Sequence, residues 1–250
     1  MATLVANSPV LPALSKALGT QDFQRSRQAY NELRDDADQP PVTDDHIQNL
    51  ARLFVRHNAH KVLGVHLVHG HFKIPESTVL LGTNFEEPKG RWARVTPVEK
   101  IDPATIHGHI FVFTKDGLCA YEYQDGPMPD LSGVGEGFLK EFVEYLVANN
   151  LTDLLGLQVL TECGGQSMSE LILDNGTIML DNSVIKGCTP YRITGWNFEV
   201  AHGNPRVCSS RELHAKRSGN NHEVYNAGKP LPKLENVEDL KLALAGEGII

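Results

Sequence analysis

Three times in this chain a short polar turn sits between two extended runs, and that pattern constrains the fold more than any other feature. Lys115-Asp116-Gly117 separates His107–Thr114 from Leu118–Tyr123, and Asp174-Asn175-Gly176 splits the run Ser169–Leu180. Asp-Gly and Asn-Gly supply the positive φ angles that a tight hairpin turn requires. His202-Gly203-Asn204-Pro205 stands in the same position between Tyr191–Val200 and Arg206–Ser209. Further strands are predicted over Lys61–Phe72, Thr78–Gly82 and Leu155–Thr161. Hairpins make their strands antiparallel neighbours. The expected fold is therefore α+β, with a largely antiparallel, curved β-sheet or barrel-like β core.

Helices are predicted in fewer places. Gln21–Ala37 carries Phe23, Ala29, Tyr30 and Leu33 at roughly helical spacing and runs into Pro40-Pro41. Thr43 followed by Asp44 and Asp45 is a good helix start, because a hydroxyl caps and the acids meet the positive end of the dipole. Ile47, Leu50, Ala51, Phe54 and Val55 then fall on one face. One inserted helix is predicted at Gly135–Ala148 and a short one at Glu238–Ala245. Strands and helices do not alternate as a doubly wound fold requires. Residues 1–250 are expected to form a single domain, with a helical segment over 1–60 packed on a β-rich core over 61–235.

Charge narrows the partners. Against 31 Asp and Glu stand 23 Lys and Arg, a net −8 that disfavours nucleic acid and anionic membranes. No apolar run reaches the roughly 18–20 residues of a spanning helix. The start MATLVANSPVLPALSKAL lacks a basic region ahead of its apolar stretch, and the four cysteines include no close pair. A cytoplasmic protein with a small-molecule substrate, no nucleic acid and no membrane is expected. An open sheet would also admit a homodimer through its edge or face.

The chemical lead is a set of eleven histidines, unevenly placed. His66, His69 and His71 lie close together, as do His107 and His109. If Val65–Phe72 is extended, His69 and His71 project to one side and His66 to the other, while His107 and His109 share a face. Imidazole is the commonest neutral metal ligand and suits iron, zinc, copper and nickel. Glu76 follows His71 and would add a carboxylate. The expected metal ligands are His69, His71, Glu76 and His107, holding a divalent transition metal. The alternative is that these histidines only hydrogen-bond within the sheet.

The stretch Gly64 … His69-Gly70-His71 … Glu76 … Gly82 resembles the first metal motif of the cupins, with the central spacing matched and both outer spacings differing by one residue. That resemblance implies a double-stranded β-barrel in which His69, His71 and Glu76 bind metal together with a histidine from a later strand. The second cupin motif has no clean counterpart: His107 comes too early, and His202 lacks the preceding Pro-x-Gly. The His-Gly-His-Phe run, the Gly-Leu-Gln-Val-Leu segment and SELILDNGTIML also resemble uncharacterised proteins of filamentous fungi. No activity follows from that second likeness.

Other residues carry weaker leads. Cys163 lies in Thr161–Ser167, where two glycines could free backbone N–H groups for an anion beside a nucleophilic thiol, although a polar loop with a small semi-buried thiol is the favoured reading. Cys188, Cys208, His214 and His222 contain the donors of a structural zinc site, without finger spacing. Arg206, Arg211, Lys216 and Arg217 fit a solvated strand edge. Neither HExxH nor GxSxG occurs. Three functions stay open: a metal-dependent enzyme, an oxidoreductase or a lyase or isomerase, with a pocket lined by Phe72, Phe111, Phe113 and Trp196; a metal-free isomerase, lyase or cyclase using His or carboxylate acid–base chemistry; and a non-catalytic small-molecule-binding protein.

Overall fold

The computed structural model describes residues 11, 13–14, 18–160, 165–173, 175–217, 222, 224 and 234–250. These form β1 (Leu63–Leu67), β2 (Thr78–Phe85), β3 (Gly90–Pro97), β4 (Ile106–Thr114), β5 (Gly117–Asp125), β6 (Leu155–Val159), β7 (Met168–Leu173), β8 (Gly176–Asp181), β9 (Cys188–Ala201) and β10 (Asn204–Arg217). The strands close into one barrel in the order β1-β6-β4-β5-β2-β3-β8-β7-β10-β9. β9 returns to β1 through Val65↔Trp196 and His66↔Gly195. β2 with β5 and β7 with β10 are parallel pairs, and the other neighbours are antiparallel.

The turn chemistry places the hairpins where the sequence puts them. Gly117 and Gly176 take positive φ between β4–β5 and β7–β8, and His202 and Gly203 both take positive φ between β9 and β10. Elsewhere the chain departs from expectation. β1 stops at Leu67 instead of running to Phe72. β3, in GRWARVTP, was not predicted, because its arginines mask the alternation; Arg91 lies on the inner face. β10 continues to Arg217 and pairs with β9 along its length, but with β7 only over Glu212–His214, so Arg206, Arg211, Lys216 and Arg217 lie outside the doubly paired stretch and Arg206 is exposed.

Helices α1 (Thr20–Glu32), α2 (Asp44–Arg56), α3 (Phe138–Ala148) and α4 (Val237–Gly246) cover the barrel. Apolar residues of α1, α2 and α3 bury Leu63, Val65 and Leu67 of β1, Leu155, Leu157 and Val159 of β6, and Trp196 and Phe198 of β9. Phe54 anchors this layer, with Phe138, Phe142 and Phe198 at ring distances of 4.9, 5.7 and 4.9 Å. Burying each such ring contributes about 1.5–3 kcal/mol. Leu240 and Leu244 of α4 pack on Trp92, Leu171, Ile178 and Leu180. Side chains alternate across a strand, so once the outer face is apolar, His66 and Gln158 are left inside. Phe111 and Trp196 therefore sit in the layer beneath the helices, and Phe113 packs against it. They do not form the expected pocket wall. No helix of the described residues is long and apolar enough to cross a membrane.

Candidate metal centre

The histidine segment reaches the inside because β1 gives way to a crossing. After Leu67 the chain is held by α1 and the loop behind it instead of by strands. Gly70 N donates to Arg34 O at 3.0 Å, Gln39 Nε2 to Val68 O at 2.6 Å, and Asn31 brackets Ile74 through both its amide groups. A β-carbon on Gly70 would lie 3.2 Å from Leu33 Cβ and 3.4 Å from Tyr30 O, so the residue between the two histidines packs tightly against α1 and the residue after it. The crossing brings His66 to the side of His69, against the alternation expected of a strand: the two rings stack at 5.3 Å, and His69 and His71 meet at 4.8 Å.

Two further ligands arrive from the barrel wall. Glu170 on β7 is the register partner of His214 on β10, so both side chains project inward side by side. His214 Nε2 lies 2.9 Å from Glu170 Oε2 and 3.0 Å from His69 Nε2. Glu170 Oε2 is 3.5 Å from His69 Nε2 and 3.7 Å from His71 Nε2. All four ligand atoms fall within 4.8 Å of one another. Donors bound at about 2.0–2.2 Å to a tetrahedral or octahedral ion lie roughly 3–3.5 Å apart, so the spacing fits a metal.

The other face of each ring fixes which nitrogen is bare. His69 Nδ1 donates to Leu67 O at 2.7 Å, since a carbonyl can only accept. His214 Nδ1 faces Asp36 Oδ2 at 3.1 Å, with Tyr191 Oη at 3.3 Å. His71 Nδ1 faces Asp35 Oδ2 at 3.9 Å. In their neutral forms His69 and His214 thus turn Nε2 lone pairs toward each other and toward a carboxylate. Such a cluster of acceptors is repulsive unless a cation, a proton or a metal ion, sits between them. Carbonyl and carboxylate groups behind the ligands are what metal-binding histidines use to set tautomer and orientation.

The ionisation states agree. Burial holds His69 down to about 3, reinforced by His214. Burial also opposes charge on His71, but Asp35 and Glu170 outweigh it and lift the ring to about 9. His214 is likewise raised, with Asp36 and Glu170 overcoming burial. Burial would raise the Glu170 carboxyl, yet the hydrogen bond from His214 and the neighbouring His71 charge hold it well below its usual range. Positive charge is thus drawn to this point, and without a metal it is supplied by protons.

Asp35 and Asp36 were expected inside a helix. Instead α1 ends at Glu32, and a single 3-10 turn over Asp36–Asp38 presents both carboxylates to the ligand rings. Asp36 is buried and held by Arg192, which also donates from Nη2 to Pro40 O at 2.9 Å. Asp36→Asn keeps the shape and removes the charge behind His214. Metal affinity should fall about 10–100-fold, read by competition with a chromophoric chelator.

The remaining expected ligands lie elsewhere. Glu76 is exposed in the turn before β2 and outside the cluster, because the crossing segment carries it away from the barrel interior. His107 is buried on β4 as the register partner of Gln124, with Nδ1 donating to Gly108 O at 2.9 Å. His109 is the extra residue of a bulge in β4 and lines the inner cavity. His222 packs on His214 at 4.4 Å, but the group of close ligand atoms contains neither it nor a cysteine. Thr161 to Gly164, including Cys163, lie outside the described residues.

The ligands open onto an internal cavity of about 30 Å³, whose walls include His66, Arg91, His109, Tyr121, Glu122, Gln158 and Glu212. Arg91 pairs with Glu122 and donates to Gln124 Oε1 at 2.6 Å and Tyr123 O at 3.2 Å. Gly82 makes room for it, since a β-carbon there would lie 2.1 Å from the guanidinium. Comparison with protein families, curated proteins and solved structures finds no match for this chain.

Proposed function

We propose that this protein is a metal-dependent enzyme acting on a small molecule inside the barrel, with one divalent transition ion held by His69, His71, His214 and Glu170. The observation that carries this reading is the convergence of two imidazole Nε2 atoms and a carboxylate oxygen within 2.9–3.5 Å. Charge balance supports it: among the described residues Glu122, Glu170 and Glu212 line the cavity with Arg91 as the single Lys or Arg, leaving two negative charges that a divalent ion neutralises. Three imidazoles and one carboxylate suit iron, zinc, copper or nickel.

A catalytic role is favoured over a structural one because the four ligands share a cavity with other polar groups. Structural sites are closed, whereas four protein ligands on an octahedral ion leave two positions for substrate or water. The ion would polarise a carbonyl or activate water or oxygen, within the oxidoreductase, lyase or isomerase classes. The test is a mixture of small metabolites followed by mass spectrometry, with chelator-stripped protein beside protein reloaded with each of the four metals. Consumption of one component, with a matching product, is expected only from a reloaded form. Retention without conversion would mark a binding protein instead.

A further inference from the structure

The walls of the cavity say what kind of molecule fits beside the ion, given the metal reading above. The charge of Arg91 is already paired: each of its three nitrogens has an acceptor, in Glu122, Gln124 and the Tyr123 carbonyl. The remaining wall groups mostly accept. Gln158 uses its Nε2 on Glu212 Oε1 at 2.7 Å and leaves a buried Oε1 with no partner. His66 Nε2 faces Glu212 Oε2 at 3.4 Å, so the nitrogen without a partner, Nδ1, is the bare one. His109 Nδ1, whose role depends on the tautomer, and the Tyr121 hydroxyl, which can donate or accept, are also buried without a partner, and Gln158, His66 and His109 are more than nine-tenths buried.

Once the ion has offset the two surplus negative charges, the chamber has no net charge to offer an anion, and Glu122 and Glu212 stand against one. The unmet acceptors need hydrogens, because a buried acceptor left without one keeps the full cost of its desolvation. A cavity of about 30 Å³ admits only a few non-hydrogen atoms. From these we infer that the site takes a small uncharged molecule that donates hydrogen bonds, such as water, a short alcohol or a simple amide, and turns away carboxylates and other anions. Specificity comes from withholding a cation: the guanidinium that would bind a carboxylate is already paired.

Formamide and formate have nearly the same shape and differ in charge, so they separate the two cases. The probe is cobalt(II) loaded into the stripped full-length protein, with its visible bands titrated by each ligand. Formamide should move the bands, and formate should bind no more tightly than formamide. Glu212→Gln, which keeps the shape and removes one repelling charge, should raise formate affinity about tenfold or more while changing formamide little. Glu122→Gln gives the same readout by freeing Arg91, should the first variant fold poorly. Formate binding wild type more tightly than formamide, unchanged formate affinity in the folded variants, or bands indifferent to both ligands would overturn the inference alone. Failure to take up cobalt would overturn it together with the metal reading.

Discussion

Glu170→Gln should lower bound metal from about one equivalent to less than a tenth, although the side chain keeps its size. Glu170 Oε2 lies within 2.9–3.7 Å of all three ligand imidazoles, and it is the only carboxylate within the cluster itself. Its loss removes both a donor and the charge that draws a cation to the point. Thermal scans give an independent reading. A metal present at about a thousand times its Kd stabilises the folded state by about 4 kcal/mol. For a chain of this size that is a rise in Tm of roughly 8–16 °C on loading. Wild-type protein should show that rise and the variant should not. A variant that binds and is stabilised like wild type would remove Glu170 from the site.

Arg91→Met should be the most damaging substitution for stability among the cavity walls. Glu122 is 7% exposed and pairs with Arg91, so the variant strands a carboxylate inside the barrel. Breaking one side of a buried ion pair costs about 3–5 kcal/mol. Burial already pushes the Glu122 carboxyl upward, with Arg91 acting against that push. Adding Glu122→Leu to Arg91→Met should recover most of the loss, because an apolar pair of similar volume is close to neutral. Denaturant unfolding of metal-loaded single and double variants measures this. A single variant within about 1 kcal/mol of wild type would show that Glu122 is solvated or neutral.

Much of the barrel was legible locally, and the candidate metal centre only in part. Asp116-Gly117, Asn175-Gly176 and His202-Gly203 act over a few residues, so their hairpins follow from sequence. His69 and His71 stood out by their spacing. Glu170 did not, since it reads as one acid in SELIL, and His214 was singled out only beside Cys188, Cys208 and His222, apart from His69 and His71. Glu170 and His214 meet through the parallel pairing of β7 and β10, and barrel closure sets that register. The available signal was a charged residue flanked by apolar ones in a strand, which implies a buried charge in need of a partner.

Asp35 and Asp36 were hidden for a different reason. Their helical spacing was acceptable, but α1 ends at Glu32 and the two carboxylates face His71, His214 and Arg192 across the fold. Glu76 followed from the opposite error. Its place in the motif assumes that the histidine segment stays extended, whereas residues after Leu67 cross on α1 and carry Glu76 to the surface.

The most direct test is the metal content and X-ray absorption spectrum of protein purified without an affinity tag, before and after exposure to iron, zinc, copper and nickel. The predicted result is about one equivalent of one transition metal, with a first shell of three imidazole nitrogens and at least one oxygen. Folded protein that holds less than about a tenth of an equivalent of each metal after reloading would contradict the central claim.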